Sequence, residues 1–74
     1  MARVDKIIEK MKNRPNGIRF AEIAKVLNHL GYIVVRIKGS HHIFRNESGD
    51  TLPIPFETPV KAAYVKDVLE IIGE

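Results

Sequence analysis

Two adjacent histidines, His41 and His42, follow the pair Gly39-Ser40 and stand among Arg36, Lys38 and Arg45. An imidazole, with an ordinary pKa near ~6.5, is the side chain best able to take or give a proton at neutral pH. Clustered Lys and Arg are the usual partners of phosphate oxygens. Together these residue types suit acid-base chemistry on a phosphodiester. The same short run also fits a solvated turn beside a basic strand, so the chemistry depends on which side chains the backbone brings to one surface.

The stretch Tyr32 to Ile37 is rich in β-branched residues and reads as a strand, which makes Gly39-Ser40 a two-residue hairpin loop. Gly at its first position suits a type II′ turn. Facing residues then share a side of the sheet: Lys38 with His41, Ile37 with His42, Arg36 with Ile43 and Val35 with Phe44. This register separates the two histidines. One face carries Ile33, Val35, Ile37, His42 and Phe44 and is apolar enough to pack on helices. The other carries Val34, Arg36, Lys38, His41, Ile43 and Arg45, leaving His41 exposed among cations and His42 as a packing residue.

Four further segments complete the framework. Val4, Ile7, Ile8 and Met11 recur at helical spacing, predicting an amphipathic helix from about Ala2 to Lys12. The turn chemistry of Asn13-Arg14-Pro15-Asn16-Gly17 ends it, with Ile18 and Phe20 anchoring the loop inward. A second helix runs from about Phe20 to Leu30 with Ile23, Val26, Leu27 and Leu30 on one stripe, and Gly31-Tyr32 closes it in a Schellman arrangement. His29, in its last turn, offsets the helix dipole. After a second turn cluster, Asn46 to Asp50, the third strand Thr51 to Ile54 returns antiparallel, and Pro53 confines it to an edge. Leu52, Ile54 and Phe56 share a face and are expected in the core. Thr58-Pro59 reads as N-cap and first residue of a final helix that Gly73 closes. Its expected buried stripe is Val60, Tyr64, Val68, Ile71 and Ile72, flanked by Val65 and Leu69.

The order of elements predicts an α+β fold, a two-layer sandwich with a three-stranded antiparallel sheet and helices on one face. Seventy-four residues fit a single domain over the whole chain, 1–74. The net charge of +3 is unevenly placed. Between Glu22 and Glu47 there is no acidic side chain, while Lys25, Arg36, Lys38, Arg45 and all three histidines lie in that interval. Nucleic acid is the most economical partner for such a patch, although an acidic protein answers to the same field. The absence of cysteine excludes disulfides and thiolate chemistry and makes the cytoplasm the expected location. No apolar run approaches the roughly 20 residues of a membrane span, and Lys6, Glu9 and Lys10 interrupt any signal-like start. Neighbouring histidines on a strand point oppositely and no third ligand lies at a known spacing, so no metal site and no small-molecule cofactor is expected.

The run Leu27 to Arg45, LNHLGYIVVRIKGSHHIFR, resembles the HicA (YcfA-like) toxins of prokaryotic HicA/HicB toxin-antitoxin systems. The Leu-Gly-aromatic helix end, the Arg-x-x-Gly-Ser-His core and the apolar-aromatic pair after it carry the likeness. Lys61 to Val68 and the Ile18-Arg19-Phe20 segment behind an N-terminal helix are similar to one branch of the family. The resemblance implies a double-stranded-RNA-binding-domain-like fold with an extra N-terminal helix, a ribonuclease that cuts messenger RNA, and a HicB antitoxin that blocks it. It implies His41 as the catalytic histidine, with His42 second because some members place theirs one residue later. Glu57 stands where many members carry a His two residues past a Pro.

The mechanism these residues suggest is metal-independent: His41 as general base on a 2′-OH, Lys38 and Arg36 on the phosphate oxygens, Arg45, Gly39 and Ser40 in RNA contact. Two other classes use the same residues. One is a non-catalytic RNA-binding module. The other is a winged-helix DNA-binding protein with the hairpin as wing, although no exposed helix carries the Arg, Asn and Gln that read base edges.

Overall fold

The computed structural model describes residues 4–73. Helix α1 (Val4–Asn13) leads through a 3-10 turn (Pro15–Gly17) into α2 (Phe20–His29). Strands β1 (Ile33–Lys38), β2 (His41–Arg45) and β3 (Thr51–Pro55) follow, and then α3 (Ala62–Ile72). The sheet is antiparallel in the order β1-β2-β3, so the predicted α+β architecture is the observed one. The expected start of α1 at Ala2 lies outside the described residues.

Helices α1 and α2 bury the faces their spacing dictates. Ile7 and Met11 of α1, Ile23, Val26 and Leu27 of α2, and Val65 and Val68 of α3 enter one core with Phe44 of β2 and Ile54 of β3. Ile18, in the loop before α2, is fully buried there, while Phe20 packs at the edge of the cluster. Helix α2 ends as expected: Tyr32 N–H donates to the Leu27 carbonyl (2.8 Å) and Gly31 N–H to that of Asn28 (3.1 Å). These are the two bonds of a Schellman motif, with Gly31 at φ +92.

Glu22 fixes the other end of α2 and ties it to α1. Its carboxylate accepts the Arg19 backbone N–H at 2.9 Å and the Lys10 ammonium at 3.0 Å. Partial burial pushes the Glu22 carboxyl up, but the Arg19 N–H and the Lys10 charge outweigh it and hold its pKa below the ordinary 4.5. A carboxylate acidified by folding contributes stability above its unfolded pKa and loses it as pH falls through the folded one. Glu22→Gln is therefore expected to cost about 1 kcal/mol at neutral pH. Urea titrations should show that difference closing as the pH falls below the carboxylate range.

Three local expectations are corrected. The last helix begins at Ala62, not at Thr58-Pro59, because Val60 plugs the core from the loop instead. Its N–H donates to the Ile18 carbonyl (2.8 Å), and the chain is still extended at Lys61 (φ −62, ψ 141). Within α3 the stripe is rotated: Val65 is fully buried, whereas Ile71 is 42 % exposed. Phe56 does not join the core; it is 62 % exposed at the end of the sheet.

The helical layer covers β2 and β3 more than β1, all six residues of which are exposed. None of them enters the core, so the apolar face expected for β1 hangs beyond the helices. Among the described residues, no helix is long and apolar enough to cross a membrane.

Candidate functional site

Lys38-Gly39-Ser40-His41 forms the predicted turn. Gly39 sits at φ +62 and Ser40 keeps a negative φ, the combination that a type II′ loop requires and type I′ does not. This turn sets the first three pairs of the hairpin as expected: Lys38 with His41, Ile37 with His42, Arg36 with Ile43.

The fourth pair differs. Val34, not Val35, lies across from Phe44, because a bulge at Val35 inserts one residue into β1. One extra residue flips everything beyond it to the opposite side. Ile33 thus joins the open face across from Arg45, and Val34 turns to the helix side. The cations near the turn are unaffected, since the bulge lies beyond them.

On the open face, His41 on the central strand is exposed between Lys38 of β1 and Pro55 of β3. Arg36 is one step further along β1, about 7 Å from Lys38. No acidic residue lies on any of the three strands. The face is uncovered over β1 and His41 and closes at Pro55, which is buried. Arg45 belongs elsewhere. It is four residues from His41 along β2, about 13 Å away, and its guanidinium lies over Gly49, where an added Cβ would meet Nη2 at 3.6 Å. The predicted site residues therefore divide into a compact group, Arg36, Lys38 and His41 beside Gly39-Ser40, and one distant cation.

His42 faces the helices, half-buried, as its register requires. Its ring lies 4.8 Å from that of Phe20 and 5.4 Å from that of Phe56. Among the described residues, Nδ1 is buried without a hydrogen-bond partner, as is Oε1 of Glu57. The sequence reading missed this aromatic group. Alternation along β3 places Phe56 on the helix side with Leu52 and Ile54, where Phe20, the first residue of α2, meets its ring at 4.9 Å. The Phe56 N–H donates to the Ser40 carbonyl (2.6 Å), extending the β2-β3 register by one residue.

Fold and surface together define a small α+β protein whose three-stranded sheet is covered by helices on one side and presents cations and one histidine on the other. The family model described as HicA toxin of bacterial toxin-antitoxin matches residues 20–73. The chain belongs to that family, and membership implies a cognate antitoxin as partner. The match takes in every strand, α2 and α3 and leaves out α1. No curated protein and no solved structure matches the chain.

Proposed function

We propose that this toxin is an endoribonuclease that cuts messenger RNA and is neutralised by a HicB-type antitoxin. The observation that supports the reading is the exposed His41 imidazole, paired across the hairpin with Lys38 on a face whose strands carry no carboxylate. His41 takes the proton of a ribose 2′-OH as that oxygen attacks the adjacent phosphorus. The P–O5′ bond breaks, the leaving oxygen takes a proton from solvent, and the imidazolium returns its proton to water. Lys38 and Arg36 stabilise the negative charge that develops on the phosphate oxygens.

Such a reaction leaves a 2′,3′-cyclic phosphate on one fragment and a 5′-hydroxyl on the other. End analysis of a cleaved transcript tests it, and fragments with 5′-phosphates would rule this chemistry out. A second reading, a non-catalytic RNA-binding module, is favoured by the open face of the strands, which among the described residues carries no histidine or carboxylate besides His41; there the transcript survives while binding remains.

In either case the phosphate contacts set the salt dependence. Each phosphate neutralised on single-stranded RNA adds about 0.7 to the slope of log K against log salt. Lys38→Ala and Arg36→Ala are each expected to flatten the slope by about that amount. Filter-binding titrations at several salt concentrations measure it.

A further inference from the structure

We propose that the free edge of β1 takes up an extended segment of the cognate antitoxin, an added strand that alternates carboxylates with apolar side chains; this rests on the antitoxin half of the reading above and names the surface and chemistry of that contact. The strand order leaves β1 and β3 at the two edges of the sheet. The two edges are not alike. Since the Phe56 N–H points at Ser40, Leu52 and Ile54 also turn their backbone groups toward β2, and Thr51, Pro53 and Pro55 turn theirs outward. Two of these three outward positions are proline, so the β3 edge lacks those donors. β1 contains no proline. The same alternation directs the backbone of His41 toward its partner Lys38, which leaves the N–H and C=O of Ile37 pointing away from the sheet.

The side chains along that edge specify what can occupy it. Ile37 is 61 % exposed on the helix side, where the helices stop short of β1, and Arg36 and Lys38 flank it on the open face. A strand laid along Arg36 to Lys38 meets cation, isoleucine, cation, and the complement is carboxylate, apolar, carboxylate. A second copy is the wrong partner. An antiparallel β1-β1 pair with its open faces aligned gathers four cations on one surface, and no strand of the sheet carries a carboxylate to offset them. Lysine at an edge and the bulge at Val35 are the usual guards against such self-pairing. They leave the edge open to a chain of opposite charge, and an extended polypeptide supplies the main-chain groups that Ile37 lacks.

The test titrates the full chain, labelled with nitrogen-15, with a blocked synthetic peptide of alternating glutamate and valine, followed by amide NMR. Shifts should concentrate on β1, and the Ile37 N–H should gain protection from hydrogen exchange. Ile37→Pro removes that donor and keeps the Lys38-His41 and Arg36-Ile43 pairs. It should weaken binding about 2- to 13-fold relative to Ile37→Val, the equivalent of one net hydrogen bond. A peptide of alternating lysine and valine should bind at least about 4-fold more weakly than the glutamate peptide, because two attractive cross-strand pairs become repulsive. Thermal melts report that both variants remain folded.

Shifts spread over the open face with Ile37 unprotected, equal affinity of Ile37→Pro and Ile37→Val, or equal affinity of the two peptides overturns the added strand. A chain that sediments as a dimer with Ile37 already protected overturns it too, since a second copy then holds the edge. In these cases an antitoxin that still forms a complex with the chain and blocks cleavage acts from another surface, and the underlying reading survives. If the co-expressed antitoxin forms no complex with the chain, that reading fails and the assignment of this edge fails with it.

Discussion

On the proposed mechanism, replacing His41 by alanine is expected to lower RNA cleavage by about 10²- to 10⁴-fold, the range that a positioned general base supplies. The loss appears in turnover and leaves the fold untouched. His41 is exposed and its side chain makes no hydrogen bond or ring contact within the described residues, so its removal changes stability by no more than about 0.5 kcal/mol. Parallel cleavage and melting curves on the same preparations separate the two effects. His42→Ala provides the contrast. It deletes a ring packed at 4.8 Å on Phe20 and 5.4 Å on Phe56, contacts worth about 0.5–1.5 kcal/mol each. Its main effect is therefore expected in the melt. Cleavage lost in His42→Ala and kept in His41→Ala, with both variants folded, transfers the catalytic role to the second imidazole.

Phe44→Ala is expected to lower stability by about 3–5 kcal/mol. Phe44 is fully buried, the one β2 residue in the core, and its ring lies 6.1 Å from that of Phe20. It joins the sheet to the helical layer, so truncation leaves a cavity that neither layer closes without moving the other. A core this small stabilises its domain by only about 3–5 kcal/mol in the first place. The variant should be largely unfolded at 25 °C, and its far-ultraviolet circular dichroism should lack a cooperative melt. Ile71→Ala, on an exposed position of α3, serves as the control with little loss. A cooperative melt for Phe44→Ala within about 1 kcal/mol of the parent would show that the two layers do not depend on this ring.

Much of the molecule is legible in the residues because local chemistry decides it. Gly39 can adopt positive φ without steric cost, and a two-residue loop admits few backbone solutions; the Lys38–His41 and Ile37–His42 pairs follow. Gly31 and Tyr32 determine the end of α2 in the same way, through two hydrogen bonds within six residues of each other. The periodicity of Val4 to Met11 and of Ile23 to Leu30 names the buried stripes, because a helix has one face to hide. The site shares this legibility where it lies next to the turn, which is why His41, Lys38 and Arg36 are found together.

What the residues alone could not disclose is non-local. A bulge such as that at Val35 costs little locally and leaves no mark in the composition of a β-branched strand, yet it exchanges the faces of Ile33 and Val34. Whether Phe56 is core or surface depends on how far the helical layer extends over the sheet, which its own alternation with Leu52 and Ile54 does not contain. Thr58-Pro59 carries a sound helix-start signal, but burial of Val60 between the loop and Ile18 delays the helix to Ala62. The chain by itself determined which side chains pair next to the turn and how α1 and α2 face the core, since those follow from backbone conformation over a few residues. Only the packing of the two layers decided which parts of the sheet stay exposed, because exposure is a property of neighbours distant in sequence.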